Sequence, residues 1–229
     1  MKNIINKKAV TISLFVLIGL LTLQVPLAKI YGTDGKFSLF DAFAPTAGAF
    51  LGTVPGVISV LAMRLVDYAV HGTSIDRGMV LRLFPVAFGA IYFANKKKHE
   101  YFNIIIPVIS IVAFNLNPVG REVWYFSMYW LIPIAMHFVK DRFVFARSLG
   151  ATFTQHSIGG ALWVWFLHLP PQAWIALIPI VAIERFAIAV GMTASYLLFN
   201  NLLSALKNYM KTKNMDLSIQ INENDLVKK

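Results

Sequence analysis

Apolar residues run along this chain in long blocks, and polar residues gather between them. Blocks at 9–30, 79–94, 102–116, 123–139, 145–167 and 174–206 are dominated by Leu, Ile, Val, Phe and Ala. Short polar stretches separate them: YGTDGK, HGTSIDRG, NKKK, NPVGRE and LPPQ. Long apolar runs bounded by such breakers predict helices. Several approach the roughly 20 residues that span a bilayer. The basic start followed by an apolar run also fits a signal peptide. The run is long, however, and no A-x-A cleavage site follows it, so a retained first helix is expected.

The stretch FDAFAPTAGAFLGTVPGVISV, residues 40–60, is apolar but rich in glycine and proline. Positive charge decides how to read it. Lysines and arginines cluster at Lys2, Lys7 and Lys8, at 96–98, at Lys140, Arg142 and Arg147, and at Lys207, Lys211 and Lys213. If all of these face the cytoplasm, residues 36–94 must cross the membrane an odd number of times. One continuous helix over 40–70 gives two crossings there and strands 96–98 outside. A break at Gly52–Gly56, where proline interrupts helix hydrogen bonding, gives three. Two short spans, 37–51 and 55–70, are therefore expected, of the kind tolerated where they are buried in protein or line a cavity. The fold class is all-α: a polytopic transmembrane bundle of about six to eight spans, with a broken helix pair near 37–70. Residues 1–211 form one membrane domain, and 212–229 a polar, mobile cytoplasmic tail. Both termini are expected in the cytoplasm of a multi-pass cell-membrane protein.

Composition narrows the function. Hydrophobic residues make up 57% and charged residues 14% of 229, against about 25% charged in soluble domains. The net charge of +10 would suggest nucleic acid in a soluble protein. Here the charges flank the spans, so the partner expected is the lipid bilayer and not nucleic acid. Without cysteine there is no thiolate chemistry or cysteine metal site. No Walker A, H-E-x-x-H or G-x-S-x-G pattern occurs. His137 and His168 lack metal-ligand spacing. No catalytic residue, metal or cofactor is assigned.

Ionisable residues within spans cost about 2.5–3.5 kcal/mol each on insertion scales and mark candidate sites. Arg64, Asp67 and His71 share one helix face, and Arg64 and Asp67 can neutralise each other. Thr152, His156 and Gly160 repeat every fourth residue, with Gln155 beside them; that face suits either helix packing or ligand binding. Glu184 and Arg185 lie mid-way along the last block. Neighbours point about 100° apart on a helix, so each is expected to need another partner, in a network with Arg64, Asp67 and His156. Arg121, Trp124 and Tyr125 form either an interfacial belt or an aromatic mouth with a positive charge, to which Arg82 can add a second.

The segment FSLFDAFAPTAGAFLGTVPGVISVLAMRLVDYAVHG, residues 37–72, resembles the early part of the membrane substrate-binding subunits (S components) of energy-coupling-factor transporters, the biotin-type subunits most of all. Ser38-Leu39-Phe40-Asp41 stands at the start of that pattern, Ala47-Gly48 and Leu51-Gly52 at its small residues, and Pro55-Gly56 at its break. Asp41 stands where those subunits carry glutamine, and the alanine-rich coupling motif is not visible in the first helix. The resemblance implies a subunit that takes up a small vitamin-like solute, working with a separate ATPase module and a membrane coupling subunit. The substrate-binding candidates Arg64, Asp67, Arg121, Trp124, Tyr125, Gln155, His156, Glu184 and Arg185 come from the residues themselves. Two other readings stay open: an intramembrane enzyme acting on a lipid or peptide, and a membrane scaffold without ligand.

Overall fold

The computed structural model describes residues 7–29, 36–71, 77–94, 100–211 and 220–226. The lysines at 96–98, the polar stretches at 30–35 and 72–76 and residues 212–219 lie outside the described residues. The chain is mostly helical with almost no sheet. Helix α1 (Lys7–Leu23) leads into a two-stranded antiparallel hairpin, β1 (Pro26–Lys29) and β2 (Lys36–Ser38). There follow α2 (Leu39–Phe43), a 3-10 turn over Ala44–Thr46, and α3 (Ala47–Leu51). Then come α4 (Thr53–Val70), α5 (Arg77–Ala94), α6 (Phe102–Leu116) and α7 (Pro118–Glu122). A 3-10 helix over Trp124–Trp130 precedes α8 (Leu131–His137), α9 (Val144–Phe166) and the long α10 (Pro171–Lys211).

The expected break falls at Gly52, and it is a reversal of the chain. Arg64 on α4 reaches Asp41 on α2 at 3.2 Å. Along an unbroken helix those residues would lie about 35 Å apart at 1.5 Å per residue. A Cβ on Gly56 would sit 2.9 Å from the Ala47 carbonyl, so the two arms touch directly beside the turn. Gly52 makes the turn with φ 88° and ψ 168°, a conformation left almost entirely to glycine. Thr53 then starts α4, with Pro55 in its first turn, where a missing N–H costs nothing. Gly52→Ala is expected to destabilise the protein by about 1–3 kcal/mol. Thermal unfolding in detergent measures this; an unchanged midpoint would mean that the turn tolerates a side chain.

Three expected boundaries need correction. The first helix does not run to 30: it ends at Leu23, and Pro26 opens the strand pair instead. Proline has no N–H for the helix, while a first strand residue can do without one. The block at 123–139 is not one α-helix. Its first half is a 3-10 helix that turns Phe126, Ser127 and Trp130 inward, and Pro118 begins the short helix ahead of it under an Asn117 cap. The tail is not wholly mobile: residues 220–226 return to pack on the bundle.

Two apolar clusters hold the helices together. One surrounds the α2–α3 arm and contains Phe15, Phe43, Phe50, Phe93 and Tyr196. The other contains Phe114, Phe126, Trp130, Trp174 and Val181. Outside them the usual order of polarity is inverted. Ile183 is 72% exposed while Arg185, two residues on, is 3% exposed. Apolar stripes face outward on α6 (Ile105, Ile109, Val112, Leu116) and on α10 (Ile183, Phe186, Val190, Leu198). Among the described residues, two helical stretches, Thr53–Val70 and Pro171–Tyr209, are long and apolar enough to cross a membrane.

Candidate functional site

The ends of α1 and α4, the start of α5, the upper half of α9 and the first half of α10 meet at one end of the bundle. The β1–β2 hairpin lies there too. Between them is a cavity of about 610 Å³, within the range of small-molecule sites. Six of the nine sequence-derived candidates line it: Arg64, Asp67, Gln155, His156, Glu184 and Arg185. Arg121, Trp124 and Tyr125 do not. They sit exposed where α7 gives way to the 3-10 helix, with the two rings 6.1 Å apart. The Arg82 side chain lies outside the described residues.

The pairing of charges differs from the expected one. Arg64 does not bond Asp67, one turn away, but Asp41 on the opposite arm of the Gly52 hairpin. Its guanidinium also lies 4.4 Å from the Phe40 ring centroid. Asp41 is fixed in turn by the Ser38 N–H at 2.8 Å, which closes the start of α2. Asp67 instead faces the His71 Nδ1 at 3.2 Å and accepts from the Gln24 amide at 3.4 Å. Glu184 and Arg185 do approach each other, but only at 3.8 Å. The Arg185 guanidinium lies 4.4 Å from the Phe37 ring centroid. Phe37 and Phe40 are thus held from two sides, by α10 and by α4, through the attraction of a cation for a ring face.

His156 is oriented by the second apolar cluster. The fully buried Trp130 donates its indole N–H to His156 Nδ1 at 2.9 Å. With Nδ1 an acceptor, the proton of the neutral ring resides on Nε2, leaving an N–H donor on the other side of the ring. Phe126 packs 5.5 Å from this imidazole and 5.0 Å from Trp174, which also lines the cavity. Among the described residues, Gln155 Nε2, Trp174 Nε1, Arg64 Nε and Arg185 Nε are buried N–H groups without an acceptor. A buried donor left unmade costs about 1–3 kcal/mol. Four such groups around one cavity make a site rich in donors, with Asp67 and Glu184 as acceptors on its rim and the rings of Phe37, Phe126, Trp163 and Trp174 as its apolar walls. Among the described residues, no group of three or more His, Asp or Glu side chains is placed to hold a metal ion.

Asp41, Phe37, Trp163 and Trp174 also line the cavity, beyond the residues expected there. An acidic residue inside an apolar run was itself the signal for Asp41. The aromatic walls carry no such signal, because a ring in an apolar segment is ordinary.

A protein of Methanocaldococcus jannaschii described as uncharacterized is 24% identical to this chain over 234 residues, covering 91% of this chain and 76% of the relative. No family model matches the chain, and no solved structure matches it.

Proposed function

We propose that this protein is a multi-pass membrane subunit that captures a small, vitamin-like solute in the cavity beneath its strand hairpin. It delivers the solute inward as the substrate-binding component of an energy-coupled transporter. One observation carries the reading: polar groups far apart in sequence converge on a single cavity in a bundle with an apolar exterior. Charged groups within a membrane domain need a compensating use, and a polar ligand site is one. A solute with a flat apolar body and several acceptors suits the walls and donors described above. With both termini in the cytoplasm, the passes alternate so that the cavity opens outward and the Gly52 turn lies inside. The partners proposed are an ATPase module and a membrane coupling subunit.

The test is a panel of vitamins and their precursors added to the purified protein in detergent. A true ligand at about 100 times its Kd stabilises the fold by about 2.7 kcal/mol. Glu184→Gln and Gln155→Ala are each expected to weaken that response at least tenfold. Affinity capture of the full chain from its native membrane should bring the ATPase and coupling subunit with it. If no solute stabilises the protein and no ATPase is captured, the transporter reading is wrong.

A further inference from the structure

At the end of the bundle opposite the cavity, the chain folds a piece of its own tail onto itself. The Gln220 N–H donates to the Phe50 carbonyl, beside the Gly52 turn, at 3.2 Å. The Asn222 N–H donates to the side-chain carbonyl of Asn200 at 3.0 Å, and the Asn200 amide donates to the Asn222 carbonyl at 2.8 Å. Asn200 is fully buried on α10, and both ends of its side-chain amide bond the backbone of residue 222. The Asp225 carboxylate accepts from the Tyr196 hydroxyl at 2.8 Å and from the Asn222 amide at 2.7 Å. Next to Tyr196 lies Arg147, 5% exposed, its guanidinium 5.8 Å from the ring centroids of both Tyr196 and Phe93. Its Nε has no acceptor among the described residues.

This is the chemistry of a peptide site. A two-ended amide reads one residue of extended backbone, and a hydroxyl beside a guanidinium receives a carboxylate. We propose that this end of the bundle is a notch for a short acidic segment, and that its resident is the chain's own 220–226 strap, which closes reversibly over Arg147. The strap is held by hydrogen bonds with no fully buried residue of its own. A unit with so little buried apolar surface opens at low cost. The short connection from α10 keeps its effective concentration in the millimolar range, so weak contacts suffice to close it. Because it joins Phe50 on α3 to Tyr196 and Asn200 on α10, its release removes one polar tie between them at that end, while the stacking of Phe50 on Tyr196 remains. This inference rests on the strap and its notch, and stands apart from the reading of the cavity.

The test is binding of a fluorescent peptide with the sequence of residues 218–229. The protein is the full chain carrying Asn222→Ala and Asp225→Ala, which removes the bonds of the Asp225 carboxylate to Tyr196 and Asn222 and so loosens its own strap while keeping every helix. That variant is expected to bind the peptide saturably. The parent chain, whose notch is filled, should bind at least tenfold more weakly, and a peptide carrying the same two alanines, which keeps its backbone but loses its carboxylate, should bind the double variant at least tenfold more weakly than the natural peptide does. A chain ending at Lys211 should behave like the double variant. The proposal is overturned if the double variant binds no peptide, if the parent binds equally well, or if the alanine peptide binds as tightly as the natural one.

Discussion

Asp41→Ala is expected to destabilise the protein by about 3–5 kcal/mol, the usual consequence of leaving one member of a buried ion pair alone. The carboxylate is 5% exposed and has two tasks: it neutralises Arg64 across the Gly52 hairpin and accepts the Ser38 N–H at the start of α2. Removing it strands the guanidinium against Phe40 with an Nε that already lacks an acceptor. Adding Arg64→Met to Asp41→Ala should recover part of the loss, because the uncompensated charge goes with it. Denaturant unfolding of the parent, both single variants and the double variant gives the coupling between the two sites. A single-variant loss below about 0.5 kcal/mol, the scale of an ordinary surface change, would show that the pair does not hold the two arms together.

Trp130 gives the second large effect, and it separates packing from orientation. Its ring is fully buried, stands edge-on to Phe114 at 5.2 Å and fills the space beside Gly160. Trp130→Ala is expected to cost about 3–5 kcal/mol through the cavity left behind. Trp130→Phe keeps most of the packing but removes the donor to His156. It should cost less, about 1–3 kcal/mol, the scale for a buried polar group left unpaired. The imidazole is then free to change tautomer and to rotate, so affinity for a solute of the kind proposed above should fall by more than the stability does. Unfolding and solute titration on the same two variants read this directly. Equal affinity in Trp130→Phe and parent would mean that the orientation of His156 is irrelevant to binding.

Much of the helix pattern was legible in the sequence because it depends on local composition. Long apolar blocks between basic or glycine-rich breaks have one economical conformation away from water. The break at Gly52 was legible because glycine and proline fall together at Gly52–Gly56 inside an apolar run. The β1–β2 hairpin left only a partial trace, the Asp34-Gly35 turn signal. Pairing between 26–29 and 36–38 depends on how the ends of α1 and α2 come together, and the residues between them carry no alternating pattern. The 3-10 helix over Trp124–Trp130 was hidden for a similar reason. Its tighter winding sends Phe126 and Trp130 inward and leaves Trp124 and Tyr125 outside, a choice made by packing against α6 and α9. That is why Trp124 and Tyr125, which with Arg121 fit either an interfacial belt or an aromatic mouth, stand away from the cavity.

The sequence by itself determined which residues are costly in an apolar environment. Arg64, Asp67, His156, Glu184 and Arg185 announce themselves by charge alone, wherever the chain takes them. Only the tertiary structure decided who meets whom. Arg64 passes over Asp67, one turn away, and pairs with Asp41 because the reversal at Gly52 brings α2 alongside α4. A helix fixes neighbours three and four residues apart; partners 23 residues apart depend on the angle of one turn. The tail shows the same division. Its polarity was plain from composition, but its place against Tyr196 and Asn200 required a buried amide on another helix, waiting for a backbone to bind.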